Sequence, residues 1–199
     1  MEVEGGKGMR RYEAVVVGVS AGGLQALSVL LGCLPGDFPL PVLIVQHRLE
    51  SSDSYLAESL DRSLRIRVRE AEDKLELEGG CVYLAPAGYH LLAEETRTAS
   101  LSVDPRVNYS RPSVDVLFES AAYVYGPRCI GVVLTGANGD GSAGLARIAA
   151  AGGLAVVQDP QEAEYDAMPR AAIAAVKADY ILPLTGIGSL LSRLAQEEE

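Results

Sequence analysis

The chain has 199 residues, 48% of them hydrophobic, and a formal net charge of −10 at neutral pH. This length suits one domain with its own core, and no apolar run in the sequence is long enough to span a bilayer. The negative charge argues against a nucleic-acid partner, because phosphate contacts need clustered lysine and arginine. We expect a cytoplasmic protein with neither a membrane segment nor a signal peptide.

The cysteines and histidines argue against a disulfide-stabilised protein and against a zinc protein. Cys33, Cys81 and Cys129 are odd in number, widely spaced and set among apolar residues, which predicts reduced thiols rather than disulfides. Two histidines and no Cys-x-x-Cys pair leave few ligands for zinc. We therefore expect no metal site and no cofactor. The sequence leaves the oligomeric state open.

The first apolar run ends in an informative turn. Residues 14–19 are apolar without alternation, which predicts a strand covered on both faces, and residues 24–31 predict a helix. Between them lies Gly18-x-Ser20-x-Gly22. A serine between small residues at a strand-to-helix turn is typical of a nucleophile elbow. The same turn also suits a helix N-terminus that binds an anion without chemistry.

A serine nucleophile needs a base, and the chain offers only two histidines. Residues 41–46 predict a second buried strand, and His47 follows it directly. Ligands of open α/β sheets bind beyond the carboxyl ends of the strands, where Ser20 also lies. His47 is therefore the predicted base. His90 follows a segment broken by proline and glycine, and we interpret it as structural or as lining the site.

The acid is predicted in the same way. Residues 129–134 predict a third strand that leads into the glycine-rich loop 135–141, whose single carboxylate is Asp140. A carboxylate there could hold the imidazole in the productive tautomer. Asp159 is the alternative, because it follows a fourth apolar strand at 154–158. We choose Asp140. The resulting Ser-His-Asp order differs from that of ordinary α/β-hydrolases, whose histidine comes last.

The remaining segments complete an α/β pattern. They are a strand at 64–68, two or three short strands within 80–103, a helix at 114–125 with Ser113 able to cap it, a helix at 142–151, a strand at 179–183 and a helix at 187–194. Parallel strands alternating with helices predict a single-domain, doubly wound, mainly parallel sheet with helices on both faces. A short antiparallel hairpin region is expected near 80–103. The predicted domain covers 13–195, between a disordered tail at 1–12 and an acidic tail at 196–199.

Seven motifs occur in one order between residues 13 and 194. They are Gly-Val-Ser-Ala-Gly-Gly at 18–23, Val-Gln-His at 45–47, Val-Tyr-Leu-Ala-Pro at 82–86, Arg-Pro-Ser-Val-Asp-Val-Leu-Phe at 111–118, Leu-Thr-Gly-x-x-x-Asp-Gly at 134–141, Gln-Asp at 158–159 and Met-Pro-Arg at 168–170. Together they resemble the catalytic domain of CheB-type protein-glutamate methylesterases of bacterial chemotaxis. The resemblance implies a catalytic Ser20, His47 and Asp140. It also implies hydrolysis of a γ-methyl ester on a methylated chemoreceptor-like protein, with glutamine deamidation as a related activity.

The oxyanion donors are predicted from two sources. The nucleophile-elbow rule assigns the backbone N–H of Ala21, and the resemblance suggests a second backbone N–H in the loop 136–138, which we assign to Ala137. Family members usually have Met-Gly where this chain has Ala137 and Asn138. They also commonly carry a receiver domain before the esterase domain. Residues 1–12 cannot hold one, so we expect a stand-alone catalytic domain, either constitutively active or controlled by a partner or by expression.

Two alternatives stay open. One is an esterase or amidase of the same fold that acts on a substrate outside chemotaxis. The other is a non-catalytic module that binds an anion or a nucleotide at the turn 18–23. The dinucleotide fingerprint Gly-x-Gly-x-x-Gly is absent there, which argues against the second alternative.

Overall fold

The computed structural model describes residues 12–48 and 55–197. Within them the chain alternates between strands and helices. The strands are β1 (Ala14–Val19), β2 (Val42–Gln46), β3 (Arg67–Glu70), β4 (Cys81–Leu84), β5 (His90–Ala93), β6 (Ala99–Ser102), β7 (Cys129–Val133), β8 (Leu154–Gln158) and β9 (Tyr180–Leu182). The helices are α1 (Gly23–Gly32), α2 (Tyr55–Ser63), α3 (Val114–Tyr125), α4 (Ser142–Ala150), α5 (Ala167–Ala175) and α6 (Leu184–Leu194), with a 3₁₀ turn at Gly126–Arg128.

Seven strands form one parallel sheet in the order β3-β4-β2-β1-β7-β8-β9. The strands β5 and β6 pair antiparallel as a separate hairpin. The predicted mainly parallel α/β sheet with an antiparallel hairpin is confirmed. The strand order reverses at β1, which lies between β2 and β7. In such sheets the crevice beyond the carboxyl end of the reversal point is where ligands bind.

Strand β1 lies at the centre of two hydrophobic cores. Val15, Val17 and Val19 pack into the core formed with α1, α2 and α6. Ala14 and Val16 face the opposite core, formed with α3, α4, α5 and the hairpin. Because helices cover both faces of the sheet, its central strands are apolar without alternation.

Several element boundaries differ from the sequence-based prediction. The strand expected at 64–68 is β3, which begins three residues later, at Arg67. The apolar residues Leu64 and Ile66, which suggested an earlier start, pack into the core from the segment before the strand. Strand β4 joins the main sheet, so only β5 and β6 form the hairpin. Helices α2 and α5 were not predicted. Helix α2 is only nine residues long and mostly polar, with Ala57 and Leu60 buried, so it resembles a charged connection in the sequence.

The predicted tails lie mostly outside the described residues. Residues 1–11 and 198–199 are not described, whereas Tyr12 is buried in the core beside β1. None of the described helices is both long and apolar enough to cross a membrane.

Candidate active site

Ser20 and His47 lie side by side at the carboxyl edge of the sheet. They directly follow β1 and β2, whose pairing runs as far as Val19 and Gln46. The backbone N–H of His47 donates to the carbonyl of Val19 at 3.1 Å. On the other side, the N–H of Ser20 donates to the carbonyl of Thr135, just beyond β7, at 3.0 Å. The serine therefore lies between the ends of its two neighbouring strands.

Glycines shape the turn that carries the serine. Gly22 has a left-handed φ of 77°, which an L side chain rarely adopts. A Cβ at Gly23 would overlap the Gln46 side chain, whose amide donates to the carbonyl of Ser20 at 2.9 Å. Gln46 at the end of β2 thus stabilises the turn, and its side chain fits there only because residue 23 is glycine.

His47 and Asp140 form the central pair of the site. The Nε2 of His47 lies 2.7 Å from the Oδ2 of Asp140. The aspartate is only 2% exposed, and the histidine side chain is 11% exposed. The other ring nitrogen, Nδ1, accepts a hydrogen bond from the side-chain amide of Asn138 at 3.2 Å. An amide nitrogen can only donate, so Nδ1 carries the lone pair and Nε2 carries the proton.

The carboxylate of Asp140 caps helix α3 from another part of the chain. It accepts the first N–H groups of that helix, from Val114 at 2.7 Å and from Asp115 at 3.2 Å. It also accepts from the hydroxyl of Ser113 at 2.9 Å and from the amide of Asn108 at 2.8 Å. Ser113 makes no side-chain cap of its own, so the expected capping role was wrong. The positive end of the helix stabilises the negative charge instead.

These contacts decide the ionisation of the acid. Burial raises the pKa of Asp140, but the hydrogen bonds from His47, Asn108 and Val114 outweigh it and hold the pKa below its ordinary value. The neighbouring Asp115 shows the opposite balance, because burial, with a contribution from the charge of Asp140, raises its pKa. Of these two neighbouring carboxyl groups, Asp140 is therefore the one that ionises more readily.

Two backbone donors are available beside the serine. Across residues 12–48 and 55–197, neither the N–H of Ala21 nor that of Ala137 donates a hydrogen bond. The N–H of Gly136 is already engaged, since it donates to the carbonyl of Tyr165 at 2.9 Å. Of the two neighbouring amides in this loop, the N–H of Ala137, which the sequence analysis assigned, is therefore the one that makes no hydrogen bond among the described residues.

The alternative residues have other contacts. The carboxylate of Asp159 accepts the N–H of Gln161 within its own turn at 2.9 Å. His90 is 1% exposed; its Nε2 donates to the carbonyl of Pro105 at 3.1 Å, and its Nδ1 accepts the N–H of Ser113 at 3.2 Å. It therefore supports the start of α3 and is a structural residue.

No hydrogen bond joins Ser20 Oγ to any residue that the structure describes.

Sequence reasoning missed the residues that hold the site together. Asn108 bridges the carboxylates of Asp140 and Asp115, both at 2.8 Å. Thr135 donates its hydroxyl to the carbonyl of Ala21 at 2.9 Å, and its N–H donates to the buried Gln158 side chain at 2.8 Å. Thr135, Asp115 and Gln158 lie inside the matched motifs, which was the available signal. Asn108 lies outside them, so nothing in the sequence marked it.

A cleft of about 320 Å³ opens beside His47. Cationic and polar side chains dominate its lining, namely those of Arg48, Arg106, Tyr109, Ser110 and Arg111, and Pro112 completes it. Tyr109 is 98% exposed and has a left-handed φ of 62°. The described residues contain no cluster of three or more histidine, cysteine or acidic side chains that could hold a metal ion.

The fold and the arrangement of these side chains indicate the class of protein. A parallel α/β sheet with a serine at a strand-to-helix turn, beside an imidazole paired with a buried carboxylate, is typical of a serine hydrolase. The comparison with known families makes the class specific. The chain belongs to the CheB methylesterase family, whose model matches residues 15–191.

Individual relatives agree with this assignment. A Leptospira interrogans protein with the provisional name protein-glutamate methylesterase/protein-glutamine glutaminase is 52% identical over 93% of this chain and 96% of its own length. An Anaeromyxobacter dehalogenans protein-glutamate methylesterase/protein-glutamine glutaminase is 43% identical over 94% of this chain, which spans only 54% of that relative. The crystal structure of the Thermotoga maritima CheB methylesterase catalytic domain matches with a TM-score of 0.88 and 34% identity, covering 92% of this chain and 98% of that one.

Proposed function

We propose that the protein hydrolyses γ-methyl esters of glutamate on chemoreceptor-like proteins through a triad of Ser20, His47 and Asp140. The observation that carries the proposal is the 2.7 Å pair between His47 and the buried Asp140, at the strand edge that also holds Ser20. Membership of the CheB methylesterase family supports the substrate class. Deamidation of receptor glutamine follows the same course, with ammonia as the leaving group.

The contacts of the His47 ring support the following course of proton transfers. Because the Nε2 proton of His47 points at Asp140, the lone pair on Nδ1 must accept the hydroxyl proton of Ser20. Ser20 Oγ then attacks the ester carbonyl. The tetrahedral intermediate collapses, its C–O bond to methoxide breaks, and Nδ1–H returns the proton so that methanol leaves. A water, deprotonated by the same nitrogen, cleaves the glutamyl-enzyme and restores the serine.

The oxyanion and the imidazolium each have a stabilising group. The free N–H groups of Ala21 and Ala137 are the candidate donors to the carbonyl oxygen as it becomes negative. The ionised Asp140 stabilises the imidazolium, since it stays an acceptor throughout. Ala137 can serve although the family usually has methionine there, because the donor is a backbone group.

Methanol release from a methylated receptor fragment tests the proposal. We expect Ser20→Ala and His47→Ala each to lower turnover by about 10³- to 10⁶-fold. Ser28→Ala is the matched serine control, because Ser28 Oγ only bonds the carbonyl of Leu24 within α1. Turnover by Ser20→Ala at the parent rate would refute the triad. A simple alkyl ester cleaved far faster than the receptor fragment would instead indicate an esterase for another substrate.

A further inference from the structure

The side chain of Asn138 makes two hydrogen bonds in the loop after β7. Its Oδ1 accepts the backbone N–H of Asp140 at 3.1 Å, and its Nδ2 donates to Nδ1 of His47 at 3.2 Å. A backbone N–H can only donate, so the oxygen must face Asp140 and the nitrogen must face the ring. The orientation of the amide is thus fixed by chemistry.

Asn138 therefore occupies the nitrogen that the reaction needs. A neutral imidazole has one acceptor nitrogen, and here it is Nδ1, because Nε2–H points at Asp140. The Ser20 hydroxyl must reach the same lone pair to lose its proton. In this structure Ser20 Oγ has no hydrogen-bond partner among the described residues, while Asn138 holds the acceptor. Two donors compete for one acceptor.

We propose that Asn138 is a latch on the base, a positioning residue that keeps Nδ1 of His47 engaged until an ester enters and the amide swings away. The inference rests on the proposed function. Asn138 is exposed, so water can replace its hydrogen bonds when it leaves the ring. Glycine, the usual family residue at this position, has no side chain that could donate. The latch is therefore a property of this chain's loop.

Inactivation of the full chain by a serine-directed fluorophosphonate tests the latch without a receptor. We expect Asn138→Gly and Asn138→Ala to raise the rate of Ser20 phosphonylation by about 3- to 10-fold, the factor that one neutral hydrogen bond supplies. The ¹⁵N NMR signal of His47 Nδ1 is the second measurement. It should move downfield in both variants, as an acceptor nitrogen does when it loses a donor, while the Nε2–H signal stays in place.

Ser142→Ala separates the latch from a general loosening of the loop. Ser142 Oγ closes the same loop on the carbonyl of Gly139 at 2.7 Å but does not touch the ring. We expect its phosphonylation rate and its Nδ1 signal to match those of the parent. Rates that stay level or fall in both Asn138 variants would overturn the latch and leave the triad standing. Absence of Ser20 labelling in the parent and in every variant would overturn the proposed function itself.

Discussion

Among single residues, Asp140 is the one whose surroundings constrain it most. Five donors converge on its two oxygens, and every one of them requires an acceptor. In Asp140→Asn, the new amide N–H₂ would face at least one of these donors, and the imidazole would lose the partner that fixes its tautomer. We expect kcat to fall by about 10⁴-fold.

The rival acid provides the control for this change. Asp159→Asn alters a carboxylate that accepts only from its own turn, so its kcat should stay within about threefold of the parent. Steady-state hydrolysis of one ester by the three proteins is the measurement. A larger loss in Asp159→Asn than in Asp140→Asn would transfer the acid role to residue 159.

The same residue predicts a pH dependence of stability. The folded protein holds the pKa of Asp140 below its usual 3.8, so the unfolded chain binds this proton more readily. The contribution of Asp140 to the free energy of unfolding is therefore fully present above pH 3.8 and is lost as the pH falls through the folded pKa. Asp140→Asn lacks this term, so its stability should fall less steeply below pH 3.8.

Urea denaturation between pH 6 and pH 2 measures this difference. Compared with the parent, Asp140→Asn should flatten at the acid end of the curve of unfolding free energy against pH. Identical slopes for the parent and Asp140→Asn would show that Asp140 titrates alike in the folded and unfolded chains, contrary to the direction of its pKa shift.

At the scale of elements, α3 and α4 pack closely together beside Asp140. Gly144 of α4 donates its N–H to the carboxylate of Asp115 at 2.7 Å. A Cβ at position 144 would lie 2.5 Å from the Cβ of Phe118 and 3.1 Å from the Cα of Asp115. These atoms are close to rigid backbone and cannot move cheaply. We expect Gly144→Ala to lower the free energy of unfolding by about 1–3 kcal/mol, despite the better helix propensity of alanine.

Gly32 is the matched glycine. It ends helix α1, and the nearest atom to a Cβ there is 3.9 Å away, in Leu64. Gly32→Ala should therefore be neutral or stabilising by up to about 1 kcal/mol. Thermal or chemical denaturation of the two variants compares them directly. Equal effects of both substitutions would mean that the approach of α4 to α3 is not what requires glycine at 144.

The strand ends explain what could be predicted from the sequence. Ser20, His47 and Asp140 could be predicted as site residues because each lies beyond the end of an apolar run, and parallel strands bring such positions to one edge. The supporting contacts of the acid could not be found in this way. Asn108 meets Asp140 across 32 positions of sequence through a turn that has no apolar period. Likewise, α5 consists largely of alanine, which occurs both on the surface and in the core. Its sequence therefore shows no clear hydrophobic periodicity that would mark the buried face.

Over the whole molecule, the two-sided sheet predicts an order of thiol reactivity. Cys129 is fully buried on β7, Cys81 is 3% exposed on β4, and Cys33 is exposed at the end of α1. The thiolate is the reactive form, and burial raises the pKa of both Cys81 and Cys129. In native protein, iodoacetamide should therefore modify Cys33 first and Cys129 only as fast as the sheet unfolds globally. Peptide mass spectrometry over time gives the three rates, and Cys33→Ser should remove the fast phase alone. Labelling of Cys129 together with Cys33 would mean that the core around β7 opens without global unfolding, although α3, α4 and α5 cover it on that face.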